Sequence, residues 1–208
     1  MIVTSDHGEG LGDHGEMEHS NVLHEEALHV PLYVRAPWAA AKPRRVSELV
    51  RSVDVAPTVL ELLGVDARAL PFQGKSLVPL LIAPGPAAEP DRVAFSHARR
   101  VTPEQPPQFS VRDERWRFVR EPRTGRSWLY DRRADPGELH DVAAEHPEEV
   151  RRLGARLDRQ AEQDALLRKL LAAAPGRLEL DERAKRELGA LGYSGDADPA
   201  EAPRPAPR

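Results

Sequence analysis

The sequence predicts an α/β protein: the last strands and helices of a parallel core, then a small antiparallel sheet with one long helix packed on it. Three observations lead there. Short apolar bursts alternate with helix-punctuated segments over residues 1–83. Four β-prone runs joined by tight turns follow between Arg92 and Tyr130. An apolar stripe of helical period then begins after Pro147.

Each element has its own signals. Ile2–Thr4 reads as the end of a strand, too short to show a period, running into a Gly- and His-rich acidic loop over Ser5–Glu18. A domain rarely opens on such a strand, so upstream sequence is expected, and a strand cut at Met1 would leave unpaired edges prone to aggregation. His24–Leu28 predicts a helical turn, and Val30–Val34 a buried strand closed by Ala36-Pro37. Val46–Val53 reads as a strand or an approach segment. Asp54–Gly64 has the punctuation of a short helix, with Asp54 as cap, Pro57 in the first turn and Gly64 as terminator. Pro84–Asp91, rich in Pro, Ala and Gly, reads as a linker. Beyond it Arg92–Ala98, Gln108–Arg112, Trp116–Arg120 and Ser127–Tyr130 predict short strands, with Asp113-Glu114 as one of the turns. Pro147 to about Leu171 predicts a helix whose stripe Val150, Leu153, Leu157 and Ala161 covers one face of that sheet. The expected organisation is a core part over 1–83 carrying half of a metal site, a linker over 84–91, a subdomain over 92–175 and a tail over 176–208. The tail should be disordered from about Ser194, where prolines recur.

Composition narrows the function classes. A net charge of −4 with Lys and Arg interleaved among Asp and Glu gives no basic face for nucleic acid. With no cysteine, disulfides, thiolate metal sites and a cysteine nucleophile are excluded within these residues. No apolar run approaches the roughly 20 residues a membrane span requires, and the N-terminus lacks the pattern of a signal peptide. Neither observation identifies a compartment.

Chemistry concentrates at the start of the chain. Five of the eight histidines (His7, His14, His19, His24 and His29) fall within the first 29 residues, interleaved with Asp6, Glu9, Asp13, Glu16 and Glu18. A carboxylate and an imidazole at adjacent positions just past a strand can converge on one divalent ion, because the turn breaks the strand's alternation. The C-terminal ends of strands are where open α/β sheets place their sites. Composition alone also allows a plain polar surface loop.

The motifs decide between these readings. Ser5-Asp6-His7-Gly8-Glu9 with Gly12-Asp13-His14-Gly15 resembles the metal motif of sulfatases, members of the alkaline phosphatase superfamily. His19-Ser20-Asn21-Val22-Leu23-His24-Glu25-Glu26 through His29-Val30-Pro31-Leu32 resembles that family's His-Gly-x-x-Leu-Tyr-Glu-Glu-x-x-Arg-Val-Pro-Leu stretch. Here Ser20, His24 and His29 stand for the usual Gly, Tyr and Arg. Asp54-Val55-Ala56-Pro57-Thr58, Gly74-Lys75-Ser76-Leu77, Leu129-Tyr130-Asp131 with Asp135-Pro136-Gly137-Glu138, and Leu188-Gly189-Ala190-Leu191-Gly192-Tyr193 are similar to further family blocks in the same order.

The resemblance implies the C-terminal part of an alkaline-phosphatase-like fold and a metal-dependent hydrolase of sulfate esters. It implies Asp6 and His7 as ligands to one divalent cation. His19 would contact the transferred group or protonate the leaving oxygen. The family's usual ion is Ca²⁺, while an imidazole ligand suits Mn²⁺ or Zn²⁺. The substrate would be a small-molecule or glycan sulfate or phosphate ester, with the missing N-terminal part of the same enzyme as a partner. The family's nucleophile motif, Cys/Ser-x-Pro-Ser-Arg, occurs nowhere in the sequence, and its early acidic ligands are absent too. These residues alone are therefore expected to be inactive. Two alternatives stay open: a phosphodiester or phosphonate hydrolase or phosphoethanolamine-type transferase of the same superfamily, and a non-catalytic metal-binding or interaction module. His14, His24 and His29 are expected to be structural or solvent-facing. Asp54 and Thr58, Trp116 and Trp128 are expected to be structural.

Overall fold

The computed structural model describes residues 1–15, 23–36, 43, 45–66, 70–82, 91–98, 106–172, 181–183 and 186. Two compact units result, Met1–Gln163 and Asp164–Arg208. The first contains the candidate site and is built from β1 (Ile2–Thr4), α1 (Glu25–Leu28), β2 (Leu32–Val34), α2 (Val55–Leu62), α3 (Val78–Ile82) and β3–β6. Strands β3 (Ala94–Ala98), β4 (Gln108–Arg112), β5 (Trp116–Glu121) and β6 (Arg126–Asp131) form one antiparallel sheet in sequence order. Helix α4 runs Pro147–Ala172. The expected linker over 84–91 lies outside the described residues except for Asp91, and the expected disordered tail from Ser194 lies wholly outside them.

Strands β1 and β2 pair antiparallel, with Val3 opposite Tyr33. The strand expected over Val30–Val34 is thus present in shortened form, but it is not buried as expected, and Tyr33 is 68% exposed. No parallel pair occurs among the described residues, and Val46–Val53 forms no strand but enters a 3₁₀ turn at Ser52–Asp54. In α2, the Gly64 terminator works as read from sequence. Its φ of +74° lets Gly64 N donate to Glu61 O and Val65 N to Leu60 O, the paired bonds that close a helix C-terminus. Asp54 does not act as the cap, since its side chain bonds no α2 amide. Instead its fully buried carboxylate accepts from Arg51 N (2.8 Å), Arg51 Nη2 (2.8 Å), Lys75 N (2.9 Å) and Arg92 Nη2 (2.5 Å). Thr58 Oγ1 donates to Asp54 O (2.5 Å) and accepts from Leu77 N (2.8 Å), which ties α2 to the start of α3. Both residues are structural.

The four-stranded sheet is covered on both faces. On one, Val111, Trp116, Phe118 and Leu129 pack against Leu153 and Leu157 of α4, flanked by Val150. Ala161, the next residue of the expected stripe, is exposed. On the other face Val119 and Tyr130 pack with Leu23, with Leu28 and Trp128 alongside. β5 is consequently buried on both sides, and its alternation sends Arg117 toward α1 rather than toward water.

Candidate metal and anion site

The loop leaving β1 brings Asp6 and His7 together. His7 Nε2 lies 3.7 Å from Asp6 Oδ2, with the side chains 43% and 64% exposed, so both donor atoms face an accessible region. His7 Nδ1 lies 2.8 Å from Gly8 O. A carbonyl can only accept, so Nδ1 is the donor in this contact, and in a neutral ring the lone pair then sits on Nε2, toward Asp6. Asp6 Oδ1 accepts from His7 N (3.1 Å), which holds the carboxylate over the same turn. Two donors about 2.1 Å from a shared ion stand roughly 3–3.5 Å apart in octahedral or tetrahedral geometry. The observed pair is within a few tenths of an ångström of that span. An imidazole whose other N–H is anchored on a backbone carbonyl is also the usual arrangement of a metal-bound histidine. The pair thus fits a divalent cation as two ligands, and among the described residues no group of three or more His, Asp or Glu converges as a full set. His19 lies outside the described residues.

What holds this loop in place is a contact with α1. Gly8 N donates to Ala27 O (2.8 Å), and a Cβ at Gly8 would stand 1.9 Å from Glu26 O. Only glycine allows so close a backbone approach. Helix α1 is in turn fixed by a charge network on the far face of the sheet. Arg112 and Arg117 are direct cross-strand neighbours on β4 and β5, a like-charge pairing that destabilises a sheet unless acids intervene. Glu25 and Glu138 intervene. Arg117, 1% exposed, donates to Glu25 Oε2 (2.7 Å) and Glu138 Oε1 (2.5 Å). Arg132 Nη2 donates to Glu25 Oε1. Glu138 Oε2 also accepts from Glu25 N at 3.1 Å. Burial alone would raise the Glu138 carboxyl, but His24 and Arg117 beside it hold its pKa below the ordinary value. Burial depresses the pKa of Arg112 to about 10 even with Glu25 nearby, helped by the neighbouring Arg132 and Arg117 charges; it stays cationic at neutral pH.

Two histidines belong to this network. His14, in left-handed backbone at φ +52°, places Nδ1 2.8 Å from Glu26 Oε1 and Nε2 3.1 Å from Glu138 O. Both partners accept, so the ring is held as imidazolium. Burial would lower its pKa, but the bonds to Glu26 and Glu138 outweigh it and raise it above 6.5. The ring stacks on His24 at 3.7 Å, interplanar angle 8°. His24 Nδ1 lies 3.4 Å from Glu138 Oε2. His29, 68% exposed, faces solvent beside Glu25. Sequence reasoning singled out Asp6 and His7, whose side chains the loop brings to 3.7 Å, and missed the network. The available signal was an arginine inside the apolar run Trp116-Arg117-Phe118-Val119, which asks for buried acids across from it.

Residues 12–164 match the family described as N-sulphoglucosamine sulphohydrolase, C-terminal. The chain belongs to the sulfatase family, as a C-terminal portion. It is 30% identical over 146 residues to an N-acetylglucosamine-6-O-sulfatase of Bacteroides thetaiotaomicron, covering 68% of this chain and 26% of that protein. Arylsulfatase K of Gallus gallus is 30% identical over 162 residues, covering 74% of this chain and 29% of its own length. The chain therefore spans under a third of the curated relatives it matches. Among solved structures, a protein in complex with its substrate D-glucosamine-2-N,6-O-disulfate superposes with a TM-score of 0.65 at 27% identity, over 78% of this chain and 34% of that one. A phosphonate monoester hydrolase from Silicibacter pomeroyi superposes equally, with a TM-score of 0.65 at 28% identity over 78% and 34% of the two chains. The four-stranded sheet with its helix is the shared C-terminal part of an alkaline-phosphatase-like α/β fold.

Proposed function

We propose that this chain is the C-terminal part of a metal-dependent hydrolase of sulfate esters, in which Asp6 and His7 supply two ligands to one divalent cation. The observation that carries the reading is the convergence of His7 Nε2 and Asp6 Oδ2 at 3.7 Å, with the imidazole tautomer fixed by Gly8 O. When bound, the cation supplies Lewis acidity toward an anionic ester oxygen. Asp6 and His7 would bind and orient it; His19 would contact the transferred group or donate a proton to the leaving oxygen, and an imidazole suits the second role because its unperturbed pKa lies near 6.5. The mixed oxygen and nitrogen pair favours Mn²⁺ or Zn²⁺ over Ca²⁺, which prefers oxygen throughout. Similarity to a protein that binds a disulfated glucosamine supports a small sulfated sugar as the substrate class.

Titration calorimetry of the 208-residue chain with Mn²⁺ and Ca²⁺ tests the ligand pair. Two ligands hold an ion weakly, so any binding by the native chain should be weak and should fall further in Asp6→Ala and His7→Ala; equal binding by all three would refute the assignment. The chain contains no Cys/Ser-x-Pro-Ser-Arg motif. Metal-dependent release of p-nitrophenol from its sulfate by these residues alone would contradict the reading of where the nucleophile comes from.

A phosphonate or phosphodiester hydrolase is the second reading, favoured by the likeness to the phosphonate monoester hydrolase. Comparing sulfate, phosphonate and phosphodiester substrates on an enzyme containing this region separates the two. A non-catalytic metal-binding module would instead bind the cation tightly with no turnover in any such context.

A further inference from the structure

We propose that Glu138 is a positioning residue for the Asp6–His7 pair, so that the C-terminal sheet sets the geometry of the site loop. What the pair does rests on the function proposed above; the coupling itself does not. Helix α1 is a single turn of four residues, far too short to hold itself, and His24 provides no side-chain cap. The Glu138 carboxylate supplies that function from 113 positions away by accepting from Glu25 N, while Arg117 clamps it to β5. Its left-handed backbone, φ +54°, turns the carbonyl of the same residue onto His14 Nε2. Two arms therefore run from Glu138 to the site loop. One passes through α1 to Ala27 O, which seats Gly8 N; Gly8 O in turn fixes the tautomer of His7. The other passes through His14 to Glu26, whose carbonyl closes over Gly8. The Gly8 contact is too tight to absorb a shift of α1, so a displacement at Glu138 is transmitted rather than damped.

The test uses the 208-residue chain with Glu138→Gln, and Asp54→Asn as a control that breaks an equally buried ion cluster elsewhere. Hydrogen exchange should rise about ten-fold or more at residues 5–9 in Glu138→Gln relative to α4 amides at 150–157, with no such selectivity in Asp54→Asn. The ring ¹⁵N shifts of His7, reporting an Nδ1-protonated imidazole in the native chain, should move toward mixed-tautomer values only in Glu138→Gln. Unchanged exchange and ring shifts, or the same pattern in both variants, would overturn the proposal. Should Glu138→Gln fail to fold, Glu138→Asp keeps the charge beside Arg117 but withdraws the carboxylate from Glu25 N, and the same two readouts decide. Equal Mn²⁺ affinity of the native chain and Asp6→Ala would count against the metal function and leave both readouts standing.

Discussion

Replacing Arg117 by Met isolates the energetics of the buried network. The side chain is 1% exposed and makes two charged bonds, to Glu25 Oε2 at 2.7 Å and Glu138 Oε1 at 2.5 Å. Bonds to charged groups contribute about 1.5–3 kcal/mol each. Methionine fills similar volume, so the cavity contribution is small. The dominant effect is the Glu138 carboxylate left with only Arg132, His24 and the Glu25 amide beside it, and breaking one partner of a buried pair costs about 3–5 kcal/mol. With a urea slope of about 2 kcal/mol/M, the midpoint should fall by about 2 M, followed through the fluorescence of buried Trp116. The pH dependence gives a second check. The pKa of Glu138 is depressed in the folded chain, so its contribution is complete above its ordinary value of 4.5 and is lost as pH falls through the folded value. In Arg117→Met the carboxyl loses its main cationic partner and protonates more readily, so the gap between native and variant should narrow below pH 4.5. A cost under about 1 kcal/mol at pH 7, or a gap that does not change with acidification, would refute the network as described.

Further outcomes follow from the same geometry. Gly8→Ala, whose Cβ would meet Glu26 O at 1.9 Å, should displace the site loop and abolish any Mn²⁺ binding by the chain, as read by calorimetry, while the sheet's near-ultraviolet signal persists. His14 should titrate above 6.5 by NMR. Its raised pKa means its contribution is full below 6.5 and lost as pH rises through the folded value, so the stability gap to His14→Gln should shrink in that window. Asp54→Asn should cost about 3–5 kcal/mol in urea denaturation, since it removes the fully buried negative charge that Arg51 and Arg92 pair with. Leu153→Ala, which removes a fully buried residue joining α4 to the sheet, should cost about 2–5 kcal/mol.

Local chemistry was legible in the residues themselves. The β-prone runs from Gln108 to Arg112 and from Trp116 onward, the Asp113 turn, the Gly64 stop and the stripe through Leu153 and Leu157 each depend on neighbours within a few positions. The adjacency of Asp6 and His7 was likewise written in the sequence, because the side chains of consecutive residues past a strand end need only a turn to converge. Asp54 was read as a cap from its position before a helix, yet its partners Lys75 and Arg92 come from 21 and 38 residues away. The same holds for Glu138, which reaches Glu25 across 113 positions and His14 across 124. A charge in a sequence declares only that it must be hydrated or paired. Which opposite charge satisfies it depends on chain segments brought together by burying the two faces of the sheet, and only the tertiary structure decides that.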